Sequence, residues 1–150
     1  MKLEEQLKDN IPPESYLIGL LSSFNNSFQA TADLIYKEIT WKQFFAIVCI
    51  SICKEAPTLG EVSKLIGSSH QNVKQILLKL EKIDFIKFVT DDIDKRKQRI
   101  LLTDKCIKFS NDNNVEALKK MAILYKNIDK KDLLTTIRVI SQMRNNLIEM

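Results

Sequence analysis

Between Thr58 and Thr103 the sequence is punctuated so closely that few folds can accommodate it. Thr58-Leu59-Gly60-Glu61 fits a capping box, in which the Thr hydroxyl and the Glu carboxylate satisfy each other's free backbone amides at a helix start. The short helix that follows should end at Gly67, the residue type best able to take the left-handed conformation at a helix C-terminus. Ser69 then caps a second helix, in which Val73, Ile76, Leu77 and Leu80 recur at helical spacing and form an inward face. His70, Gln71, Asn72, Lys74, Gln75 and Lys79 point elsewhere. Two short helices joined by a tight glycine-containing turn predict a helix-turn-helix, whose second helix normally enters the major groove of duplex DNA.

Strand-like composition follows at once, in Phe85-Ile86-Lys87-Phe88-Val89 and in Arg99-Ile100-Leu101-Leu102. The polar segment 90–98 between them carries three successive cations, Lys95, Arg96 and Lys97, which predicts a β-hairpin with a basic tip. Helical patterns flank this module on both sides. After Pro12-Pro13, the apolar residues Leu17, Leu21, Phe24, Phe28, Ile35 and Ile39 mark one face of a long helix, and Pro13 suits its first turn. Thr40 can cap a second helix from Trp41 to about Ile52, apolar nearly all round and therefore buried. Thr103 and Asp104 can start a further helix through Val115, Leu118, Ala122 and Tyr125, with Asn111-Asp112-Asn113-Asn114 as a place where it would loosen. Asp129-Lys130-Lys131-Asp132 reads as a variant capping box for a last helix carrying Leu133, Ile137, Ile140 and Leu147.

The expected fold class is therefore mainly α, a winged helix-turn-helix of order α-α-α-α-β-β-α-α, with room for a short strand before the third helix. We expect residues 40–103 to form the DNA-binding region, and residues 1–39 with 104–150 a helical dimerisation region, the whole being one intertwined domain. The terminal helices carry more apolar surface than a small winged domain can cover, which predicts a partner chain. Charge placement agrees with a phosphate-facing surface. Residues 1–57 hold five lysines against seven acids, whereas 58–102 and 103–150 each hold nine basic residues against six acids, within a net charge of +4.

With this element order the chain resembles the MarR family of winged-helix transcription regulators over nearly its full length. The resemblance is carried by Leu65-Ile66-Gly67, Val73, Leu80-Glu81-Lys82, Asp94-Lys95-Arg96 and Leu102-Thr103. It implies an obligate homodimer with interleaved terminal helices, and two recognition helices in successive major grooves of a pseudo-palindromic operator. By motif, Ser69, Gln71, Asn72, Lys74 and Gln75 fall on the recognition helix, Arg96 on the wing position that enters the minor groove, and Asp94 on the acid that braces it. His70, Lys79, Lys95 and Lys97 complete the candidate DNA-binding set. Asn and Gln can bond an adenine edge bidentately, Lys can reach guanine or phosphate, and an arginine gains from the negative potential of a narrow minor groove. Three positions depart from the family: Asp84 and Cys106 stand where glycines are usual, and Lys95 replaces the first wing arginine.

The resemblance also implies a repressor released by a small molecule bound between the dimer helices and the DNA-binding lobes. Tyr16, Phe24, Phe28, Trp41, Phe44 and Phe45 are aromatic candidates for such a pocket, though their spacing fits ordinary core equally well. Two other readings stay open: a winged-helix protein-interaction module without DNA binding, and a repressor that senses oxidants through Cys49, Cys53 or Cys106. Among the three, Cys106 lies near a helix start, where the dipole favours a thiolate.

Other chemistry finds little support. There is one histidine, no CxxC pair, no nucleophile-plus-base pattern and no Gly-rich phosphate loop, so neither an enzyme, a metal site nor a cofactor is expected. Unpaired cysteine usage fits a reducing compartment, and the longest apolar run, Phe44 to Ile50, is too short for a bilayer, so no membrane association and a cytoplasmic location are expected.

Overall fold

The computed structural model describes residues 11–150. They form two compact units, one reaching Asp112 and the other running from Asn113 to Met150. The described elements are α1 (Pro13–Asp33), α2 (Trp41–Ser51), α3 (Leu59–Ile66), α4 (His70–Lys82), β1 (Ile86–Thr90), β2 (Gln98–Leu102), α5 (Asp104–Leu124) and α6 (Lys130–Ile148). This is a mainly helical winged helix-turn-helix, as the sequence predicts.

The first unit is built around the side chains that the helical and strand periodicities pick out. Val62 from α3, Val73, Leu77 and Leu80 from α4, Phe85 and Ile86, Ile100 from β2 and Cys106 from α5 are fully buried. Ala46, Ile47 and Ile50 of α2 join the same core. Removing such side chains from water supplies the stabilisation, about 1.5–3 kcal/mol for each large one. The hairpin pairs antiparallel, with Ile86 opposite Leu102 and Thr90 opposite Gln98. The short strand expected before α3 is a single bridge: Thr58 pairs with Arg99, and Ile100 N donates to Pro57 O at 2.8 Å.

The end signals operate as local chemistry requires. Thr58 accepts from Glu61 N while the Glu61 carboxylate accepts from Thr58 N at 2.7 Å, a closed capping box. Thr40 and Gln43 form a second box at the start of α2. Gly67 terminates α3 at φ 72°, and Ser69 Oγ accepts from Asn72 N at 3.3 Å to open α4. Asp84 sits at φ 60° between α4 and β1, so the left-handed turn is kept where glycine is usual. Asp tolerates that region better than most residues because its short polar side chain can hydrogen-bond locally. Thr103 Oγ1 donates to Asp84 O at 2.7 Å and Lys105 Nζ to Ile83 O at 2.8 Å, tying this turn to the start of α5.

Three expectations need correction. Helix α1 ends at Asp33, so Ile35 and Ile39 are not on it. Ile39 is nevertheless buried, from an irregular connector bridged by Asp33 at the end of α1, whose Oδ1 accepts from Trp41 N and holds α2 in place. Helix α5 does not loosen at Asn111–Asn114 but runs unbroken to Leu124. The propensity cost of about 0.7 kcal/mol per residue is outweighed by continuous backbone hydrogen bonding in a long helix. At α6, Asp129 Oδ1 accepts from Lys131 N at 2.6 Å, the second helical amide, rather than forming a box through the third.

In the second unit α6 has no buried residue. Leu134, Ile137, Val139, Ile140, Leu147 and Ile148 are all exposed along it.

Candidate nucleic-acid interface

Helix α4 is anchored through one face and presents the other. Val73, Leu77 and Leu80 lock it against the core, which fixes its rotation about its own axis. The consequence is that Ser69, Gln71, Asn72, Lys74, Gln75 and Lys79 are all exposed. His70 is exposed too, but its ring folds back over the start of α3: a Cβ added at Gly60 would stand 3.7 Å from the His70 Cε1. Amide, hydroxyl and ammonium groups therefore share one solvent-facing surface of a helix, with an apolar underside that cannot rotate away.

The hairpin tip presents a second cationic surface. Arg96 leaves it with its side chain 92% exposed, yet its root is held. Asp94 Oδ1 accepts from both the backbone N and the Nε of Arg96 at 3.2 Å, and Lys97 Nζ stands 3.6 Å from Asp94 Oδ2. The Arg96 guanidinium, followed by the Arg96 amide, holds the Asp94 carboxyl below its ordinary range. Lys95 and Lys97 are exposed beside it.

Beneath the tip lies a polar cluster that local sequence patterns do not reveal. Arg99 Nε donates to Asp91 Oδ2 at 2.5 Å, Arg99 Nη1 donates to Ala56 O at 3.1 Å, and the same nitrogen is 3.7 Å from Glu61 Oε2. Asp91 is buried, and its other oxygen accepts from Asp94 N at 2.7 Å and Ile93 N at 2.9 Å. These bonds, led by the Asp94 amide and then the Arg99 side chain, bring the Asp91 carboxyl down to about 2. Glu61 is likewise lowered, first by the Thr58 backbone and side chain. The only hint in the sequence is an arginine on a strand downstream of an acid-rich turn.

A groove of about 430 Å³ borders the α4 surface, with Asn25 and Gln29 of α1, Trp41 and Phe45 of α2, and Asn72, Gln75 and Lys79 of α4 in its walls. Of the six aromatic candidates, Trp41 and Phe45 reach it, and Phe28 meets Trp41 edge-on at 4.7 Å. Phe44 stacks on the buried Tyr36 at 4.3 Å as part of the core.

Cys106 is fully buried, and burial pushes its thiol up, against the thiolate that the helix start favours; a Ser110 hydrogen bond opposes this only partly. Cys49 is buried as well, and Cys53 Sγ donates to Cys49 O at 3.2 Å. Among the described residues no group of three His, Cys, Asp or Glu side chains could hold a metal ion, and no helix is long and apolar enough to cross a membrane.

No protein-family model matches the sequence, and no curated protein matches it. The fold, however, is shared with solved structures of transcriptional regulators. A MarR/EmrR family regulator from Acinetobacter sp. ADP1 superposes with a TM-score of 0.82 at 17% identity, covering 93% of this chain and 100% of that one. The S. aureus MepR–DNA complex gives 0.73 at 19% identity, covering 89% and 95%. PcaV from Streptomyces coelicolor, solved with its natural ligand, gives 0.72 at 14% identity, covering 87% and 91%.

Proposed function

We propose that this chain is a MarR-family transcription regulator: a homodimer that binds duplex DNA in a sequence-specific way, with α4 in the major groove and Arg96 in the adjacent minor groove, and acts as a repressor. The observation that carries this reading is the division of α4 into a fully buried face and an exposed face of hydrogen-bonding and cationic side chains, flanked by a hairpin whose arginine is exposed but braced. A solvated helix needs no such companion. The shared fold with a regulator solved on DNA supports the same reading.

The dimer follows from energetics. A helix of 19 residues with no buried side chain and several exposed branched apolar residues lacks a packing partner among the described residues. A second copy of the same helices is the simplest surface of matching chemistry, and a two-fold dimer would set two α4 helices against half-sites about 34–36 Å apart.

The groove beside α4 is the proposed effector site. Trp41 and Phe45 offer aromatic walls, Lys42 and Lys79 positive charge, and Asn25, Gln29, Asn72 and Gln75 amides, a set suited to an aromatic anion. Its occupancy would engage Asn72, Gln75 and Lys79, which the DNA reading also requires.

Selection of bound duplexes from a random pool tests the proposal, the expected result being two related half-sites separated by one helical turn. On the selected duplex, Arg96→Ala should bind about tenfold more weakly and lower the salt slope by about 1. Failure of the wild-type chain to retain any duplex, with no salt-dependent association, would instead favour the protein-interaction module.

A further inference from the structure

The wing carries a puzzle for a DNA-facing element: Asp91, Asp92 and Asp94 lie within four residues of its tip, where a polyanion would approach. Two of them are explained by what they hold. Starting from the helix-turn-helix, Arg99 Nη1 donates to Ala56 O, just ahead of α3, and lies near Glu61 of the α3 capping box. Through Nε it binds Asp91, and Asp91 binds the backbone amides of Ile93 and Asp94. Asp94 in turn binds the amide and the Nε of Arg96. Two backbone bonds close the loop, Asp91 N to Lys97 O at 3.0 Å and Lys97 N to Asp94 O at 2.9 Å. An unbroken relay of hydrogen bonds thus runs from the loop before α3 to Arg96, whose exposed side chain it holds at the root.

Resting on the DNA-binding reading above, we propose that Arg99 is a positioning residue for DNA recognition: through Asp91 and Asp94 it fixes the direction in which Arg96 leaves the wing, while making no contact with DNA itself. Three features separate this role from that of one more surface cation. Arg99 is turned inward, with its side chain 27% exposed against 92% for Arg96. Both bonded nitrogens are already committed to protein acceptors. The planar guanidinium spans Asp91 and Ala56 at once, a fork that a lysine cannot reproduce. Asp91 and Asp94 then serve geometry at an electrostatic cost, since each repels phosphate.

The discriminating experiment is a double-mutant cycle on the selected operator duplex, with Asp91→Asn, Arg96→Ala and the pair. Removing a negative charge next to a polyanion should by charge alone tighten binding. The relay predicts the opposite: Asp91→Asn weakens binding about tenfold, and most of that loss disappears once Arg96 is already alanine, because the two act through one contact. Arg99→Lys, which keeps the charge, should weaken binding like Asp91→Asn. Hydrogen exchange should quicken at the amides of Ile93, Asp94 and Lys97 in both variants, while those of α3 and α4 are unchanged. Tighter or unaltered binding by Asp91→Asn, or an equal loss in the Arg96→Ala background, would overturn the inference. Should the wild-type chain bind no duplex, the functional reading fails on its own, and unchanged exchange at the three wing amides would still show that Arg99 holds nothing.

Discussion

The winged module and helix α6 stand at opposite ends of a scale of self-sufficiency. The module encloses seven fully buried large side chains, including Phe85, Leu77 and Leu80, whereas α6 over 19 residues buries none. Both are amphipathic in sequence, so periodicity alone ranks them as equals. The contrast teaches that one apolar stripe is spent inside the module and the other stays exposed among the described residues; on the proposed dimer, stability and assembly fall to separate parts of the same polypeptide. It also places the candidate DNA surface on the part that holds its own shape.

Substitutions in the two regions should therefore differ in kind. The largest effect is expected from Phe85→Ala, which empties a fully buried site beside Phe109, whose ring centroid is 4.9 Å away. A loss of about 3–5 kcal/mol in urea unfolding is expected; a loss under about 1 kcal/mol would mean that the module is not the self-sufficient part. Next comes Ile137→Asp on α6, where the native residue is 53% exposed. By sedimentation we expect the dimer to dissociate about 30-fold more readily, as for loss of one strong interface residue, with the fold of the module intact. Equal association of both chains would erase the distinction between the regions. Thr58→Ala should cost about 1 kcal/mol by opening the α3 capping box, readable as a lower urea midpoint that does not shift with chain concentration.

The smallest effect is one of pH. Asp91 has a carboxyl lowered from its ordinary 3.8 to about 2, so its contribution is fully present above about pH 4 and is lost as the pH falls through 3.8 towards 2. The stability difference between wild type and Asp91→Asn should be flat from pH 8 to 5 and shrink only below 4. A difference that changed near neutrality would point to another titrating group and separate the wing from the relay described above.

Legibility in the sequence tracked the range of the interactions. The capping box at Thr58, the left-handed Gly67 and the Ser69 cap are decided within a few residues, and each is found where local chemistry places it. The exposed set on α4 follows from the same short periods, since Val73, Leu77 and Leu80 leave only one way for the polar residues to face. The end of α1 was hidden because Ile35 and Ile39 prolong the apolar rhythm while serving a connector, and rhythm reports burial before it reports helix. The Asn-rich stretch of α5 misled in the other direction, as weak local preference gave way to a long hydrogen-bonded helix. Arg99 was least visible. Its acceptor at Ala56 lies 43 residues away, and no pattern of neighbours encodes a side chain that turns inward from a strand otherwise read by its apolar residues.

On the dimer reading, an α6 without buried residues makes gene dosage an input to regulation. Where paired chains are the minor species, their number grows as the square of the chains synthesised, so halving expression would leave about a quarter of the DNA-competent form. A cell could then relieve repression by dilution during growth alone, before any effector is present. The steepness of that response would be set by how tightly Leu134, Ile137, Ile140 and their neighbours are covered.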